Sequence, residues 1–370
     1  MRRVSLWVLV AVLALLHTPG TCDRFSLSLQ DAGISNFETS NRTHCVRLRI
    51  LYVEGRPDLS VSYYTETVRS LQKLHKVKYL LFPRAGLADR QARIRHAIGK
   101  DASRFHVVLF GWGYLTDPPD QWLPIEYLQS FQLPLAFILN KEYSLLEAKL
   151  SYIKRCKPVV AFSAHHEVWK FMEYTGVPFY RTPFAATPKD FNFLTGKTKY
   201  YYQYDFGFTG RVRAQQTQNW RTQILQDKDN LKNLGVRIFT QGGHNFHPIP
   251  LEKYKKAMKH TKIWLSTTGP LDLVGTRFFE VLMSGTTMLI CNRLPLVYEG
   301  LFQENKHAVM FSTLEELRMK VEYYTKNEQE RRAIVSAAHR LALRNHSYNI
   351  RADQLGLILQ DVLHLRDSLK

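Results

Sequence analysis

The sequence predicts an α/β protein of two doubly wound domains that face each other across a cleft, and three observations lead there. Apolar strand-like runs alternate with helix-spaced segments along most of the chain, short hairpin turns are missing between them, and the alternation stops and restarts once, after Lys189. Strands that alternate with helices pair in parallel through right-handed crossovers. At 370 residues the chain is also long enough for two cores.

The elements follow in order. VRLRILYV at 46–53 alternates and then turns fully apolar, as a first strand does, and residues 60–76 continue with helical spacing. The pattern repeats with strands at 77–83, 105–111, 133–140 and 158–163, and helices at 88–99, 144–155 and 165–176, the last closed by Gly176. VPFYRTPFAATP at 177–188 is extended, and the polar, tyrosine-rich passage from Lys189 to Gln203 marks the boundary. The restart is YDFGFTG at 204–210, a strand entering a glycine turn, followed by a helix over 219–235. VRIFTQGG and KIWLSTTG are further strands, PLEKYKKAMKH is a helix, and a helix from Thr276 ends at Gly285 before the strand TTMLIC. Residues 312–327 and 328–346 form amphipathic helices with acidic starts and basic ends, and a last helix from Asp353 to Leu369 crosses back to the first domain. The predicted limits are 45–195 and 204–350 for the two domains, with 351–370 as the crossing helix.

The N-terminus has a different character. MRR precedes a 13-residue apolar run, VSLWVLVAVLALL, and a short polar tail with Gly20 and Cys22 before a cleavage point, so residues 1–22 are expected to act as a secretory signal peptide or to stay as an anchor. Either form sends the chain to the lumen of the endoplasmic reticulum or Golgi, or out of the cell, with membrane association through this segment. The sequons at Asn41 and Asn345 are compatible with that route. Cleavage leaves Cys45, Cys156 and Cys291, too few for a disulfide scaffold. The net charge of +19 is spread from Arg42 to Lys370 without a block of like charges, so the anions it implies are nucleotides, acidic glycans or membrane surfaces and not nucleic acid.

Two segments carry chemistry. In GPLDLVGTRFFEVLMSGTTMLI, from Gly269 to Ile290, Asp272 sits in a loop, Gly275 and Thr276 open a helix, and Glu280 follows about one turn in. Thr276 is expected to cap that helix, whose N–H groups and dipole favour a phosphate, while Glu280 accepts hydrogen bonds from ribose hydroxyls and Asp272 meets another part of the ligand. Arg277 either joins the phosphate cluster or pairs with Glu280 or Asp272. In FTGRVR, Thr209 and Gly210 let a ligand approach the backbone, and Arg211 and Arg213 occupy the loop where a first strand-to-helix turn meets phosphate. Gly242, after VRIFTQ, lines the same pocket or makes a tight turn.

Other groups offer less. His165 and His166 open a helix at a strand end, where they orient an acceptor or cap the helix, and Lys141 stands at a similar strand end; these three are the candidate catalytic residues. The loop HNFH at 244–247 lacks a carboxylate at ligand spacing and Asp227-Lys228-Asp229 follows a helical stretch, so no metal site and no cofactor are expected.

With these residues in view, YDFGFTGRVR, VRIFTQGG, KIWLSTTG, the R-x-F-E-x-x-x-x-G segment beginning at Arg277, and YNIRADQL resemble the C-terminal domain of group 1 glycosyltransferases, in the branch similar to bacterial spore maturation proteins. The resemblance spans Tyr204 to Leu355. It implies the GT-B architecture of two facing Rossmann-like domains, with the nucleotide sugar held by the second. It further implies that Asp272 and Glu280 stand where the family has two donor-binding glutamates, that Arg211 stands for its phosphate arginine, and that Arg213 or Arg221 replaces its lysine, a glutamine here. The expected activity is retaining, metal-independent transfer from a nucleotide-sugar donor to a glycan, protein or lipid acceptor. Two alternatives stand beside it: a non-catalytic glycan- or nucleotide-binding protein of the same fold, and a nucleotide-sugar epimerase.

Overall fold

The computed structural model describes residues 46–55, 62–82, 86–99, 102–194, 201–210, 220–241 and 249–368. The N-terminal segment, its sequon at Asn41, Arg211, Arg213, Gly242 and the HNFH loop lie outside the described residues. One compact unit, Thr39–Lys370, contains two parallel sheets.

The first sheet has six strands in the order β2-β1-β3-β4-β5-β6, formed by β1 (Arg49–Glu54), β2 (Lys76–Leu81), β3 (Val107–Phe110), β4 (Leu135–Leu139), β5 (Val160–Ser163) and β6 (Phe179–Arg181). Strands β3, β4 and β5 are buried along their whole length, as a parallel sheet covered by helices on both faces requires. The crossover helices are α1 (Ser62–Leu74), α2 (Leu87–Ile98), α3 (Ile125–Gln129), α4 (Leu146–Cys156) and α5 (Val168–Thr175). A short α6 (Pro188–Phe191) leads toward the second sheet.

That sheet has five strands in the order β11-β10-β9-β7-β8: β7 (Tyr204–Thr209), β8 (Ile238–Gln241), β9 (Thr261–Ser266), β10 (Met288–Asn292) and β11 (Val309–Phe311). Its helices are α7 (Trp220–Gln226), α8 (Lys228–Asn233), α9 (Leu251–Lys259), α10 (Thr276–Ser284), α11 (Leu314–Lys326) and α12 (Glu328–Asn345). The single helix expected over 219–235 is thus two, broken at Asp227, whose carboxylate accepts from Arg318 at 3.2 Å and from Asn230 at 2.7 Å.

The last helix, α13 (Tyr348–Ser368), starts five residues before the expected Asp353. It packs on α1, with Lys73 Nζ donating to Asn349 Oδ1 at 3.2 Å and the Gln360 amide donating to the Val46 carbonyl. Gly356 makes this approach possible: a Cβ there would fall 2.2 Å from His75 Nε2. Arg351 bonds the carbonyls of Pro183 and Asn345 and the ring of His346, stitching the first half to the end of α12. The sequon at Asn345 ends α12, and its Ser347 is buried in a bridge to Ala186. One core cluster runs through both halves, from Ile50 and Trp112 to Trp264 and Phe278, and each sheet has a second cluster on its outer face.

Candidate active site

In the second sheet the first strand, β7, lies between β8 and β9, so the chain leaves it in opposite directions on its two sides and a crevice opens at the strand C-termini. A cavity of about 300 Å³ occupies that point. Phe208 and Thr209 of β7, Leu265 to Thr267 at the end of β9, Arg221 of α7 and the start of α10 line it, and Tyr143 closes it from the first half. The hydroxyls of Thr209 and Ser266 are buried there with no hydrogen-bond partner. An unpaired buried hydroxyl costs roughly 1–3 kcal/mol, so the lining suits a polar occupant.

Two cations meet at the end of β7. Gly210 has φ 151°, and a Cβ on it would lie 3.0 Å from Arg221 Nη1 and 3.1 Å from Arg277 Nη1. Arg221 is oriented by Thr267, donating from Nε to Oγ1 at 2.8 Å and from Nη2 to the carbonyl at 3.3 Å. Burial, and then the charge of Arg277, lower its pKa to about 10. Of the roles left open for Arg277, the structure shows parts of both: it lines the cavity beside Arg221, and its charge also favours the Glu280 carboxylate, though no ion pair at bonding distance joins them among the described residues. No carboxylate lines the cavity among those residues.

The start of α10 departs from expectation in one respect. Gly275, extended at φ −86°, is the N-cap, and Thr276 is already helical, so its hydroxyl does not cap the helix. A β-carbon-free residue at the turn leaves the first N–H groups open toward the cavity, which both Gly275 and Thr276 line. Asp272 is exposed in a left-handed conformation, φ 53°, with a 3.5 Å bond from the Thr268 hydroxyl. Glu280 is buried, accepts from the Tyr254 hydroxyl at 2.8 Å, and has its pKa raised by burial. Neither acid is among the cavity-lining residues.

The first half brings its own strand ends to the cleft. His165 and His166, stacked with ring centroids 4.5 Å apart, precede α5, whose N-cap is Glu167 with no side-chain cap bond. His166 Nδ1 lies 3.0 Å from the Tyr298 hydroxyl, and that hydroxyl donates to the Asp272 carbonyl at 2.9 Å. A carbonyl can only accept, so the network assigns the His166 proton to Nδ1 and leaves Nε2 with an open lone pair. His165 is the reverse: Nδ1 accepts from the Glu167 amide at 3.1 Å, so the proton is on Nε2, which is buried without a partner. Burial holds both rings neutral, lowering the His165 pKa to about 4 and that of His166 in the same direction. The imidazoles and the Glu167 carboxylate come within 4.8 Å of one another, but the carboxylate is paired with Lys170 at 2.5 Å.

Lys141 sits at the end of β4 with φ 52°, and its carbonyl, with that of Asn140, receives the buried Lys149 ammonium. Its neighbour Glu142 is buried, accepts from the Ser163 hydroxyl and is pushed toward its neutral form by burial. Arg181, at the end of β6 and 8% exposed, lies 4.7 Å over the Tyr298 ring. It donates to the Val297 carbonyl at 3.2 Å, and its Nε and Nη2 have no partner. Sequence reasoning placed Glu142 beside Lys141 at a strand end but passed over Arg181 and Tyr298. The one available signal was the polar end of an apolar strand, as in Ser266-Thr267-Thr268 after KIWL.

Comparison with known proteins agrees with this layout. Residues 205–356 match the family described as glycosyl transferase-like. Among curated proteins no relative matches. Three solved structures share the architecture at low identity. A glycosyltransferase from Rickettsia africae has a TM-score of 0.59 at 12% identity, covering 86% of this chain and 99% of that one. Anabaena Alr3699/HepE, in complex with UDP-glucose, has 0.52 at 11%, covering 85% and 100%. T4 phage BGT, in complex with its UDP-glucose substrate, has 0.51 at 9%, covering 85% and 99%. The likeness is one of fold, two facing Rossmann-like domains. Residues 205–356 are thus a glycosyl transferase-like segment, set in a two-domain fold that this chain shares with these solved structures.

Proposed function

We propose that the protein transfers a sugar from a nucleotide-sugar donor to an acceptor hydroxyl, the donor diphosphate lying between Arg221, Arg277 and the first turn of α10. The observation that carries this reading is the convergence of two arginines on Gly210 in a cavity without a carboxylate. Like charges so close repel, and a diphosphate between them turns that repulsion into charge-assisted hydrogen bonds. The same cations and the open N–H groups at Thr276 and Arg277 would stabilise the departing nucleoside diphosphate, the task a divalent cation has elsewhere. Metal-independent transfer is therefore part of the proposal, with no separate cofactor. Retention of anomeric configuration rests on the family resemblance alone. So do the sugar contact of Asp272 and the ribose contact of Glu280, and Arg211, Arg213 and Gly242 are assigned to the donor by sequence.

The first half, residues 45–195, is assigned to the acceptor. His166 Nε2 is a neutral acceptor atom and His165 Nε2–H a neutral donor at the cleft, a pair able to orient a hydroxyl and take its proton. The apolar segment Val4–Leu16 supports a lumenal or secreted location.

Calorimetric titration with uridine and guanosine diphosphate sugars tests the reading. Arg277→Ala is expected to weaken the best-bound donor about 10- to 100-fold, the worth of one charge-assisted contact. Wild-type protein that binds none of these nucleotides would overturn it in favour of a non-catalytic role.

A further inference from the structure

We infer, on the donor reading above, that Tyr143 is the residue by which the first half grips the sugar of the donor, its ring lying against a C–H face of that sugar. Of the described residues in the first half, Tyr143 alone lines the cavity at the end of β7, and it is 49% exposed. Across the cleft, Gly269, Pro270 and Leu273 line the same cavity from the loop between β9 and α10.

The backbone on both sides of this cavity is strained. Lys141 and Leu145 flank Tyr143 with φ 52° and 53°, and Leu271 and Asp272 have 59° and 53° in the facing loop. Four of the seven described non-glycine residues with positive φ thus belong to two loops that meet at one cavity. Strain of this kind persists only where the surroundings over-determine it. Around Tyr143 they do. Asn140 Oδ1 accepts from the Lys141 amide at 2.8 Å, while its Nδ2 donates to the Tyr63 hydroxyl and the Trp112 carbonyl, both at 3.2 Å. Lys149 Nζ donates to the carbonyls of Asn140 and Lys141, and the Ser144 amide turns back to the Lys141 carbonyl at 2.9 Å. Buried Glu142 accepts from the Ser163 hydroxyl, whose oxygen in turn accepts from the His165 amide at 3.0 Å. The bonds that pin the Tyr143 loop therefore also hold the start of the His165–His166 turn. Core packing does not explain this construction, since about half of the Tyr143 surface faces solvent.

Topology says which part of the donor Tyr143 meets. The nucleotide belongs over the strand ends of the second sheet, with its diphosphate between Arg221, Arg277 and the first turn of α10. The sugar beyond the diphosphate has to face the first half, because the acceptor hydroxyl reaches its anomeric carbon from there. A side chain that crosses from the first half thus meets the sugar and not the base. A sugar ring carries hydroxyls at its edge and C–H groups on its faces, and the apolar face of a tyrosine covers such a surface while the arginines satisfy the charge. The donor site is then complete only when both halves contribute to it.

Calorimetric titration of the full chain with the best-bound nucleotide sugar of the uridine and guanosine panel, and with its own nucleoside diphosphate, is the test. Tyr143→Ala is expected to lower the affinity for the nucleotide sugar about tenfold and to leave that for the nucleoside diphosphate unchanged. Tyr143→Phe should keep both within about twofold of wild type, because the ring carries the contact. Equal losses for the two ligands would move Tyr143 onto the nucleotide, and no loss for either would remove it from the site; each overturns the inference while the donor reading stands. A loss in Tyr143→Phe as large as in Tyr143→Ala would shift the contact to the hydroxyl and overturn the ring assignment. Wild-type protein that binds neither ligand overturns the donor reading and the inference together. Should Tyr143→Ala not fold, Tyr143→Leu, which keeps an apolar side chain without the ring, is read in the same way.

Discussion

Gly210 shows how one residue sets the site. Its φ of 151° belongs to a region that side-chain-bearing residues avoid, and the space a Cβ would need is filled by two guanidinium groups. Gly210→Ala should therefore displace Arg221 or Arg277 and weaken nucleotide binding by at least tenfold in the same titration, with little change in the far-ultraviolet spectrum. Unchanged affinity would remove these arginines from the diphosphate. Glu280 has a competing role, since it anchors Tyr254. Glu280→Gln keeps an acceptor for that hydroxyl, so a loss of affinity with a preserved melting temperature would support the ribose contact, and unchanged affinity would refute it. Glu54, at the end of β1, is fully buried under the Gly55 and Gly113 amides, and burial outweighs these donors to raise its pKa to about 8. Between its ordinary value of 4.5 and about 8 the native protein holds a proton that the unfolded chain has released, so stability falls as pH rises through that window. Thermal melts of Glu54→Gln across this range should show a shallower decline than wild type; parallel curves would refute the assignment. That Thr209, Gly210, Gly275, Thr276 and Arg277 gather at one cavity was legible because glycine and a helix start next to a strand announce themselves. Arg181 and Tyr298 were not, because each reaches the cleft from an element with no distinctive spacing.

At the scale of elements, the strongly periodic segments formed where their pattern placed them, and the departures have local causes. The helix expected over 219–235 breaks where Asp227 turns to Arg318, a partner 91 positions away. Strands β6 and β11 have three residues each, too few for periodicity to separate them from loop. Helix α13 begins at Tyr348, ahead of the apolar pattern that suggested Asp353, because its first turn is held by Ser347 and Arg351 against the other half. A glycine inside that helix looks like a defect worth about 1 kcal/mol against alanine. The buried His75 ring gives it a purpose, and overpacking costs roughly 1–3 kcal/mol. Gly356→Leu is therefore predicted to lower stability in denaturant melts despite its better helix propensity, and His75→Ala to restore part of the loss; a stabilised Gly356→Leu would mean that the contact has room.

For the molecule as a whole, the two halves share one apolar core, while the first half's strand ends leave polar atoms without partners, including His165 Nε2, Glu142 Oε2 and the Nε and Nη2 of Arg181. Such a boundary gains from a ligand that fills it. Donor at about a hundred times its dissociation constant should stabilise the protein by about 2.7 kcal/mol, read as a rise in melting temperature that Arg277→Ala abolishes at the same concentration. No shift with any nucleotide sugar would count against a donor in this cleft. The sequence by itself determined the α/β class, the alternation of elements and the segment from Gly269 to Ile290, because hydrophobic period, helix ends and glycine turns are local properties. Only the tertiary structure decided that Arg221 and Arg277 share one glycine and that His166 reaches Tyr298 across the cleft. Those facts join residues from separate crossovers, and sheet order and packing, which no local pattern encodes, bring them together.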